Sequence, residues 1–230
     1  MVRRIAQRNN TSNNHLQFHS KLDYLIINNY LFFFNKFILR FAPLNLNQNQ
    51  TMQSKSKKIL RIINFISWII FIGLCIKTGA IIISFFVSLF INPVAAQNLY
   101  LGLNLSELNS FSHKYYSILV TAIIVSTLLK AYLFYLVISI FLKINLVHPF
   151  SLTVSSLIMR MSAVALLIGV LTIASNYYCH WLIGKGINLP TLTDYLGGGA
   201  EFIFFAGILY FISQVFNRGI EIQTENDLTI

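Results

Sequence analysis

The chain has 230 residues, of which 56% are hydrophobic and 10% are charged, and its mean hydropathy is +0.66. Soluble domains carry about 25% charged residues, so this composition excludes a sizeable water-soluble domain. The net charge of +10 would suggest nucleic acid in a soluble protein. Here it is explained by the lysine and arginine that collect at the cytoplasmic ends of membrane helices, and no direct contact with nucleic acid is expected.

The first 51 residues differ from the rest of the chain. They contain ten asparagines, and six basic residues against one acidic residue. Their apolar stretch, Tyr24–Phe41, is interrupted by asparagines, a lysine and an arginine, and a central charge costs a spanning helix about 2.5–3.5 kcal/mol. Two interpretations stay open: an interfacial helix whose basic residues face headgroups, or sequence upstream of a true start at Met52. We favour the start at Met52, which divides the chain into an extension, 1–51, and a membrane domain, 52–230.

Four apolar stretches follow, each close to the length that a bilayer demands. About 20 mostly apolar residues form a helix that crosses roughly 30 Å of hydrocarbon, and within lipid only helices or closed barrels satisfy their own backbone. No stretch alternates as barrel strands do. The first is too long for a cleaved signal and is expected to stay as an anchor. The chain is therefore predicted to be an all-α polytopic membrane protein, a bundle of four transmembrane helices over approximately 59–91, 116–142, 157–179 and 199–216, with a short tail over 217–230.

The basic residues predict which ends of the spans face the cytoplasm. Cytoplasmic flanks collect lysine and arginine, and an even number of spans returns the chain to its starting side. With both termini in the cytoplasm, two basic residues near the spans, Lys114 and Lys185, lie outside. Seven lie inside: Lys55, Lys57, Lys58, Arg61, Lys143, Arg160 and Arg218. Between spans two and three, Ser151 is predicted to cap a short lead-in helix that reaches Arg160.

Each span carries a stripe of small or polar residues at helical spacing. Helix contacts in membranes favour small side chains and hydrogen-bonding groups, and steps of three, four and seven residues place each set on one helix face. We interpret the stripes as packing faces rather than as a polar pathway, because few of the side chains are ionisable. The residues are Gly73, Lys77, Ala80, Ser84 and Ser88; Ser126, Thr127 and Lys130; Ser162, Ala165, Gly169, Thr172, Asn176 and Cys179; and Gly207, Tyr210, Gln214 and Asn217.

Two lysines and one glutamate form the candidate intramembrane polar site. Lys130 lies near the midpoint of span two, where a charge is rare and usually faces a bundle interior or a watery cavity. Lys77 lies in the first stretch, which is long enough for its side chain to reach the outer headgroups. Glu201, at the outer start of span four, is predicted to pair with Lys77, which leaves Lys130 to hydroxyl and carbonyl oxygens. For Lys130 a structural role and a ligand or proton role stay open, and we favour the structural one.

No pattern in the chain indicates a cofactor, a metal site or catalysis. Cys75 and Cys179 are too few and too far apart for a zinc site, and we favour buried thiols over a disulfide between them. His113, His148 and His180 are spread over the two sides of the membrane, so no two-histidine metal spacing exists. The sequence has neither a nucleophile motif nor a phosphate-binding loop. We therefore expect neither an enzyme nor a bound cofactor.

The end of the chain is the candidate partner-docking tail. Arg218 suits the cytoplasmic interface, Gly219 is predicted to stop the last helix, and Ile220–Gln223 alternates as a short strand does. A solvated acidic end is one interpretation, and the other is an extended peptide that adds an edge strand to a cytoplasmic partner. The candidate docking residues are Arg218, Gly219, Glu221, Glu225, Asn226 and Asp227.

The tail also carries a family resemblance. Through Arg218–Glu221 and Glu225–Ile230 it resembles the ending of small bacterial four-span membrane proteins of a domain-of-unknown-function family. Pro149-Phe150-Ser151 and Leu129–Tyr132 are similar to steps in the same family, and the resemblance covers the chain from Ser54 to its end. It implies a location in the bacterial cytoplasmic (inner) membrane. Because members are often encoded beside a small helix-turn-helix regulator, it also implies a cytoplasmic partner of that kind, but it implies no functional residues.

The leading functional hypothesis is a membrane-embedded sensor or binding partner that presents its tail to a cytoplasmic regulator. The alternative is a small transporter or channel component, which would need a homo-oligomer because one copy is small for a transport path. An intramembrane enzyme is third, since no paired carboxylates or histidines converge within the spans. Beyond contact with the bilayer, the sequence identifies neither a ligand nor a signal.

Overall fold

The computed structural model describes residues 54–144, 150–190 and 192–227. Side chains are described from Lys58 to Glu225, apart from those of Thr193 and Asp194 and of the two gaps. The expected extension over 1–51, the start at Met52, Pro149 and the last three residues of the tail lie outside the described residues.

The described chain is built from six α-helices, four of which are long and apolar enough to cross a membrane. These four are α1, α3, α4 and α6, and they confirm the all-α fold with four candidate spans. Two short helices, α2 and α5, lie in the connections. The bounds are Ser54–Phe90 (α1), Ser106–Phe111 (α2), His113–Lys143 (α3), Leu152–Ile183 (α4), Thr193–Leu196 (α5) and Gly199–Asp227 (α6), with a 3₁₀ turn at Pro93–Gln97.

Helix α4 begins where the sequence predicts a cap. The Ser151 hydroxyl accepts a hydrogen bond from the Val154 backbone N–H at 3.3 Å, which satisfies one of the free donors at a helix start. The expected short lead-in helix is wrong, because α4 continues past Arg160 to Ile183 without interruption. No proline lies within α4, so nothing removes a backbone donor along its length.

The four long helices pack in chain order. Helix α1 lies against α3, α3 against α4, and α4 against α6, and the α4–α6 contact is the most extensive. We call the end where α1 begins and α6 ends the tail end, and the opposite end the loop end. The bundle core lies between α3, α4 and α6 and consists of Leu133, Leu136, Val154, Leu157, Ile158, Met161, Val164, Ala165, Ile168, Ala206 and Leu209.

A second core lies at the loop end. It combines the loop-end turns of α1, α3 and α4 with the segments that connect them, and more than half of its residues come from those segments and the short helices. Tyr116 stands at its centre, fully buried, and its hydroxyl is 2.6 Å from the Ser88 hydroxyl of α1. We call it the loop-end core; its residues are Ile81, Ala96, Leu99, Leu103, Leu105, Leu108, Tyr116, Leu119, Val120, Ile123, Cys179, Leu182, Ile187, Leu192 and Leu196.

The predicted packing stripe is confirmed on α4 and wrong on α6. On α4, most of the stripe is buried: Ser162, Ala165, Gly169, Thr172 and Cys179. On α6, Gly207, Tyr210 and Gln214 are exposed, whereas Ala206, Leu209 and Ser213 are buried. A helix that packs mainly against one neighbour buries one narrow face, and contact with α4 selects that face. The Ser162 hydroxyl donates to the Ala206 carbonyl at 2.8 Å, which fixes the register of the two helices.

Both cysteines are free thiols. Cys75 is exposed on α1 and Cys179 is buried in the loop-end core, so the alternative of a disulfide between them is not realised. The expectation of buried thiols is confirmed for Cys179 and wrong for Cys75, which is exposed.

Candidate functional site

Lys130 holds the end of a single helical turn. From α3, its ammonium donates a hydrogen bond to the Leu196 carbonyl oxygen at 2.7 Å, and it lies 3.5 Å from the Tyr195 carbonyl oxygen. The Thr172 hydroxyl of α4 donates to the same Leu196 oxygen at 3.3 Å. Leu196 ends α5, and the last carbonyls of a helix have no partner within it, so a cation is favoured there. These oxygens are of the kind expected for Lys130.

The chain turns sharply beside this ammonium. Gly197 follows α5 with φ +79°, a conformation that residues with a Cβ rarely adopt. An added Cβ there would lie 3.4 Å from the Lys130 ammonium nitrogen. The same ammonium lies 5.5 Å from the centroid of the Phe202 ring, within the range of a cation–π contact. Lys130 therefore contacts α5, the glycine turn and the first turns of α6 at once.

Lys77 approaches the same turn from α1. Its ammonium lies 5.2 Å from the Tyr195 ring centroid and 5.9 Å from that of Tyr100. The Tyr195 hydroxyl donates to the Leu101 carbonyl oxygen at 3.1 Å, which ties α5 to the connection after α1. Both intramembrane lysines thus converge on Tyr195, a residue that the sequence analysis did not select. Tyr195 lies between the two lysines only because the third connection, which joins α4 to α6, returns into the bundle.

Glu201 lies at the start of its own helix. The side chain is exposed, and its carboxylate folds back over Gly198, where an added Cβ would collide with it. A carboxylate in the first turn of a helix is favoured by the free backbone N–H groups there. Among the described side chains no ion pair joins Glu201 to either lysine, so the expected pair with Lys77 is wrong.

The turn lies well below the loop end of α4. Thr172, which contacts Leu196, precedes the end of α4 by 11 residues, or about 16 Å of helix. Farther down, Gly169 and Gly199 meet so closely that an added Cβ on Gly169 would lie 2.9 Å from the Gly199 carbonyl oxygen. The third connection therefore descends alongside α4 before α6 begins. Non-helical backbone at such a position needs internal hydrogen-bond partners, and Lys130 and Thr172 supply them.

The candidate docking tail continues α6. Arg218 donates a hydrogen bond to Glu221 at 2.6 Å, and both side chains are exposed. The Thr224 hydroxyl donates to the Ile220 carbonyl oxygen at 2.9 Å, four residues back as in a helix. The expected helix stop at Gly219 and strand at Ile220–Gln223 are therefore wrong, since α6 runs to Asp227.

Gly219 has a packing role instead. The Phe150 ring lies over it, and an added Cβ would come within 2.6 Å of a ring carbon. Phe150 also meets Phe216 edge-on at 5.3 Å between ring centroids. Glu225 is exposed on the last described turn, where the backbone places Asn226 and Asp227 as well, although their side chains lie outside the described ones.

Within the described residues, the contacts of Lys130, Lys77 and Thr172 join secondary-structure elements. In the described part of the chain, no cluster of three or more His, Cys, Asp or Glu side chains could hold a metal ion. What the geometry provides is a link. Lys130 of α3, Lys77 of α1 and Thr172 of α4 all contact α5, and α6 starts directly after the glycine turn that follows α5. Comparison with family models, with curated proteins and with solved structures found no match, so the family resemblance of the tail stays a prediction.

Proposed function

We propose that the chain is a multi-pass protein of the bacterial cytoplasmic membrane with both termini in the cytoplasm. It acts without catalysis, as a sensor or binding partner that presents the end of α6 to a cytoplasmic regulator of the helix-turn-helix type. One observation carries this proposal: α6 is a single helix that runs from the turn at Tyr195–Gly197, which Lys130 contacts, to the charged tail. We call that turn the Lys130 turn.

The length of α6 supports a tail that reaches water. Its 29 residues correspond to about 43 Å of helix, whereas the hydrocarbon layer is about 30 Å thick. The excess lies at the tail end, where Arg218, Glu221 and Glu225 are exposed. A regulator would therefore meet a charged helical surface, not the extended strand expected from the sequence.

The contacts at the other end of α6 support a relay. Lys130, Thr172 and Tyr195 fix the turn from which α6 starts, and packed helices shift as rigid units when such contacts rearrange. Any event at the loop end that moved α5 would therefore shift or rotate α6 along α4. The tail would report that movement in the cytoplasm.

The decisive experiment is co-purification from native membranes. Deletion of residues 223–230 is expected to abolish capture of the regulator and to leave the thermal stability of the detergent-solubilised protein unchanged. The double substitution Glu221→Lys and Glu225→Lys should have the same effect, because it reverses the charge of the exposed surface. Thr224→Ala is the matched control, since the Thr224 hydroxyl bonds only its own helix in the described contacts. Capture that survived both changes would reject the docking role.

A helix break tests the relay separately from docking. Gly207 faces open space on α6, so Gly207→Ala should be neutral. Gly207→Pro should interrupt the helix at a cost of about 3 kcal/mol or more and disconnect the tail from the Lys130 turn. We expect the proline variant to bind the regulator but to lose its cellular response, while the alanine variant keeps both.

Cysteine labelling tests the orientation. In a background without Cys75 and Cys179, a probe at Asn188 marks the loop end and a probe at Thr224 marks the tail end; both positions are exposed. A maleimide that cannot cross membranes should label the first probe on intact cells and the second only after permeabilisation. The reverse pattern would place both termini outside.

Transport is the second candidate, and the descending connection favours it. Irregular backbone at membrane depth often lines a solute path, and two lysines converge on this one at Tyr195. The helices pack in a row, so a path would need further copies of the chain. Flux of anionic tracers into proteoliposomes, reduced by Lys130→Met and unaffected by deletion of residues 223–230, would favour transport over docking.

A further inference from the structure

A cluster of aromatic rings and one lysine lies at the loop end, apart from the Lys130 turn. The Lys185 ammonium lies 4.2 Å from the Trp181 ring centroid and 5.5 Å from that of Tyr115. Trp181 meets Tyr115 edge-on at 5.3 Å and stacks on Tyr178 at 5.8 Å, while Phe111 stacks on Tyr115 at 6.2 Å. We call this group the aromatic–lysine cluster.

The cluster is open to its surroundings. Phe111 is 54% exposed and Trp181 is 46% exposed, and the neighbouring Tyr177 is 74% exposed. Lys185 and Lys114, at the same end, are also exposed. Tyr115 and Tyr178 pack against the loop-end core, but packing inside the protein does not account for the exposed surface of Phe111, Tyr177 and Trp181.

The chemistry of this surface fits a phospholipid headgroup layer. Tryptophan and tyrosine combine an apolar ring with a hydrogen-bonding group, and they gather where a bilayer meets water. Lysine ammonium groups complement lipid phosphates, and here one such group is held directly over the rings.

The length of α4 supports this location independently. A second aromatic pair, Phe150 and Phe216, marks the tail end beside Arg218. From Leu152, the first helical residue after Phe150, to Trp181 the chain advances 29 residues, or about 43 Å of helix. A bilayer with its headgroups is about 40–45 Å thick, so the two aromatic levels are separated by one membrane.

We propose that the aromatic–lysine cluster binds the headgroup layer of the leaflet at the loop end, with Lys185 contacting a lipid phosphate. This assignment rests on the membrane location in the proposed function, but not on the docking role of the tail or on the orientation of the termini. It places Thr172, nine residues before Trp181, about 13 Å beneath the cluster. The turn over Tyr195 and Leu196 therefore lies inside the leaflet as a re-entrant segment, and Lys130 with it.

The two tryptophans of the chain provide the test, since Trp68 and Trp181 are its only ones. The variant Trp68→Phe reports Trp181 alone, and Trp181→Phe reports Trp68, which lies seven residues beyond Arg61 on α1. Each full-length variant is placed in vesicles of phosphatidylcholine that carries bromine atoms either next to the headgroup or near the chain ends. We expect Trp181 fluorescence to be lost more to the shallow bromines and Trp68 fluorescence more to the deep ones.

The opposite order for Trp181, or no loss with either lipid, would overturn the proposal. The latter result would place the ring in water or beneath a second copy of the chain or another protein. Because Trp181 is measured in a variant that keeps the whole cluster, a failure of Trp181→Phe to fold leaves this readout intact.

Lipid retention tests the phosphate contact. Native mass spectrometry counts the phosphatidylglycerol molecules that stay bound during detergent exchange. Lys185→Gln should reduce retention about fivefold, the factor expected for one lysine beside an anionic lipid surface. The matched control Lys114→Gln, at an exposed lysine of the same end, should change it less. Equal retention in Lys185→Gln and the unsubstituted protein would reject Lys185 as the phosphate ligand.

Discussion

The loop-end core and the bundle core are built from the same kinds of apolar side chain but in different ways. The loop-end core collects large residues from connections and helix ends, and several of them are fully buried, such as Leu99, Leu108 and Tyr116. The bundle core is centred on α4, and its contacts with α6 include glycine, alanine and serine. One core is assembled by the tertiary fold, whereas the other is a line of contacts along regular helices.

The difference reflects the solvent around each region. In the membrane arrangement proposed above, the connection between α1 and α3 meets water, so burying its leucines in the loop-end core gains hydrophobic free energy. Among helices in lipid, apolar side chains gain little by leaving the lipid, and association depends on close packing and hydrogen bonds. The Ser155 hydroxyl illustrates this: it lies 2.6 Å from Asn217 Oδ1 and 3.3 Å from the Ser213 carbonyl oxygen across the α4–α6 contact.

The largest effect is expected from adding bulk where the bundle helices touch. In Gly169→Val, the new Cβ would lie 2.6 Å from an Ile203 side-chain carbon and 2.9 Å from the Gly199 carbonyl oxygen. Because backbone cannot yield as a side chain can, we expect a loss of about 3 kcal/mol or more in the free energy of unfolding. Gly207→Val is the control, since it meets open space. Unfolding in mixed micelles would measure both, and similar losses would contradict the close α4–α6 contact.

Removing bulk should distinguish the two cores. Leu108 is fully buried in the loop-end core. Leu108→Ala is expected to lower the free energy of unfolding by an amount in the upper half of the range of about 2–5 kcal/mol. Leu209→Ala in the bundle core should cost less, because only packing is lost where lipid replaces water. If the two losses measured by unfolding in mixed micelles were equal, the proposed difference in driving force would be wrong.

Loss of the Lys130 ammonium comes next. Lys130→Met keeps a long side chain but removes the donor to the Leu196 carbonyl, a charge-assisted bond worth about 1.5–3 kcal/mol. Thr172→Val removes a neutral bond to the same oxygen and should cost about 0.5–1.5 kcal/mol. A thermal shift assay in detergent would rank the variants. A stable Lys130→Met variant that lost its cellular phenotype would instead assign Lys130 to a ligand or a proton.

The smallest effect is expected from single hydroxyls between α4 and α6. Ser162→Ala removes the bond to the Ala206 carbonyl and should cost about 0.6 kcal/mol. Ser156→Ala, which removes a hydroxyl bonded within α4 on an exposed face, should be neutral by comparison. Unfolding measured in mixed micelles would resolve them, and a cost above that of Lys130→Met would place the main α4–α6 attraction in hydrogen bonds.

Parts of the candidate site could be predicted because they depend on local chemistry. A lysine in an apolar span needs oxygen partners, and Lys130 has them. A serine at the start of a helix can cap it, and Ser151 caps α4. The α4 stripe was predictable because α4 has neighbours on two sides and buries most residues of that stripe. The α6 stripe was not, because a helix with one main neighbour can present any of several faces, and only its packing against α4 selects one.

Local pattern also misled at the end of the chain. Gly219 and the alternation of Ile220–Gln223 are typical of a stop and a strand, yet the helix persists. The Phe150 ring packs over Gly219, and Arg218 and Glu221 pair one turn apart. The first contact comes from 69 residues earlier in the chain, so no window around the tail contains it.

By itself the sequence determined that the chain contains four apolar helices long enough to cross a bilayer, and approximately where each one lies. It also determined which residues within those helices, such as Lys77 and Lys130, are costly to place in lipid. These properties depend on the length of apolar runs, which lipid thickness fixes one segment at a time. Only the tertiary structure decided that the third connection descends beside α4 and that Lys77 and Lys130 meet at Tyr195. Those contacts join residues far apart in the chain, and their energies depend on how whole helices pack.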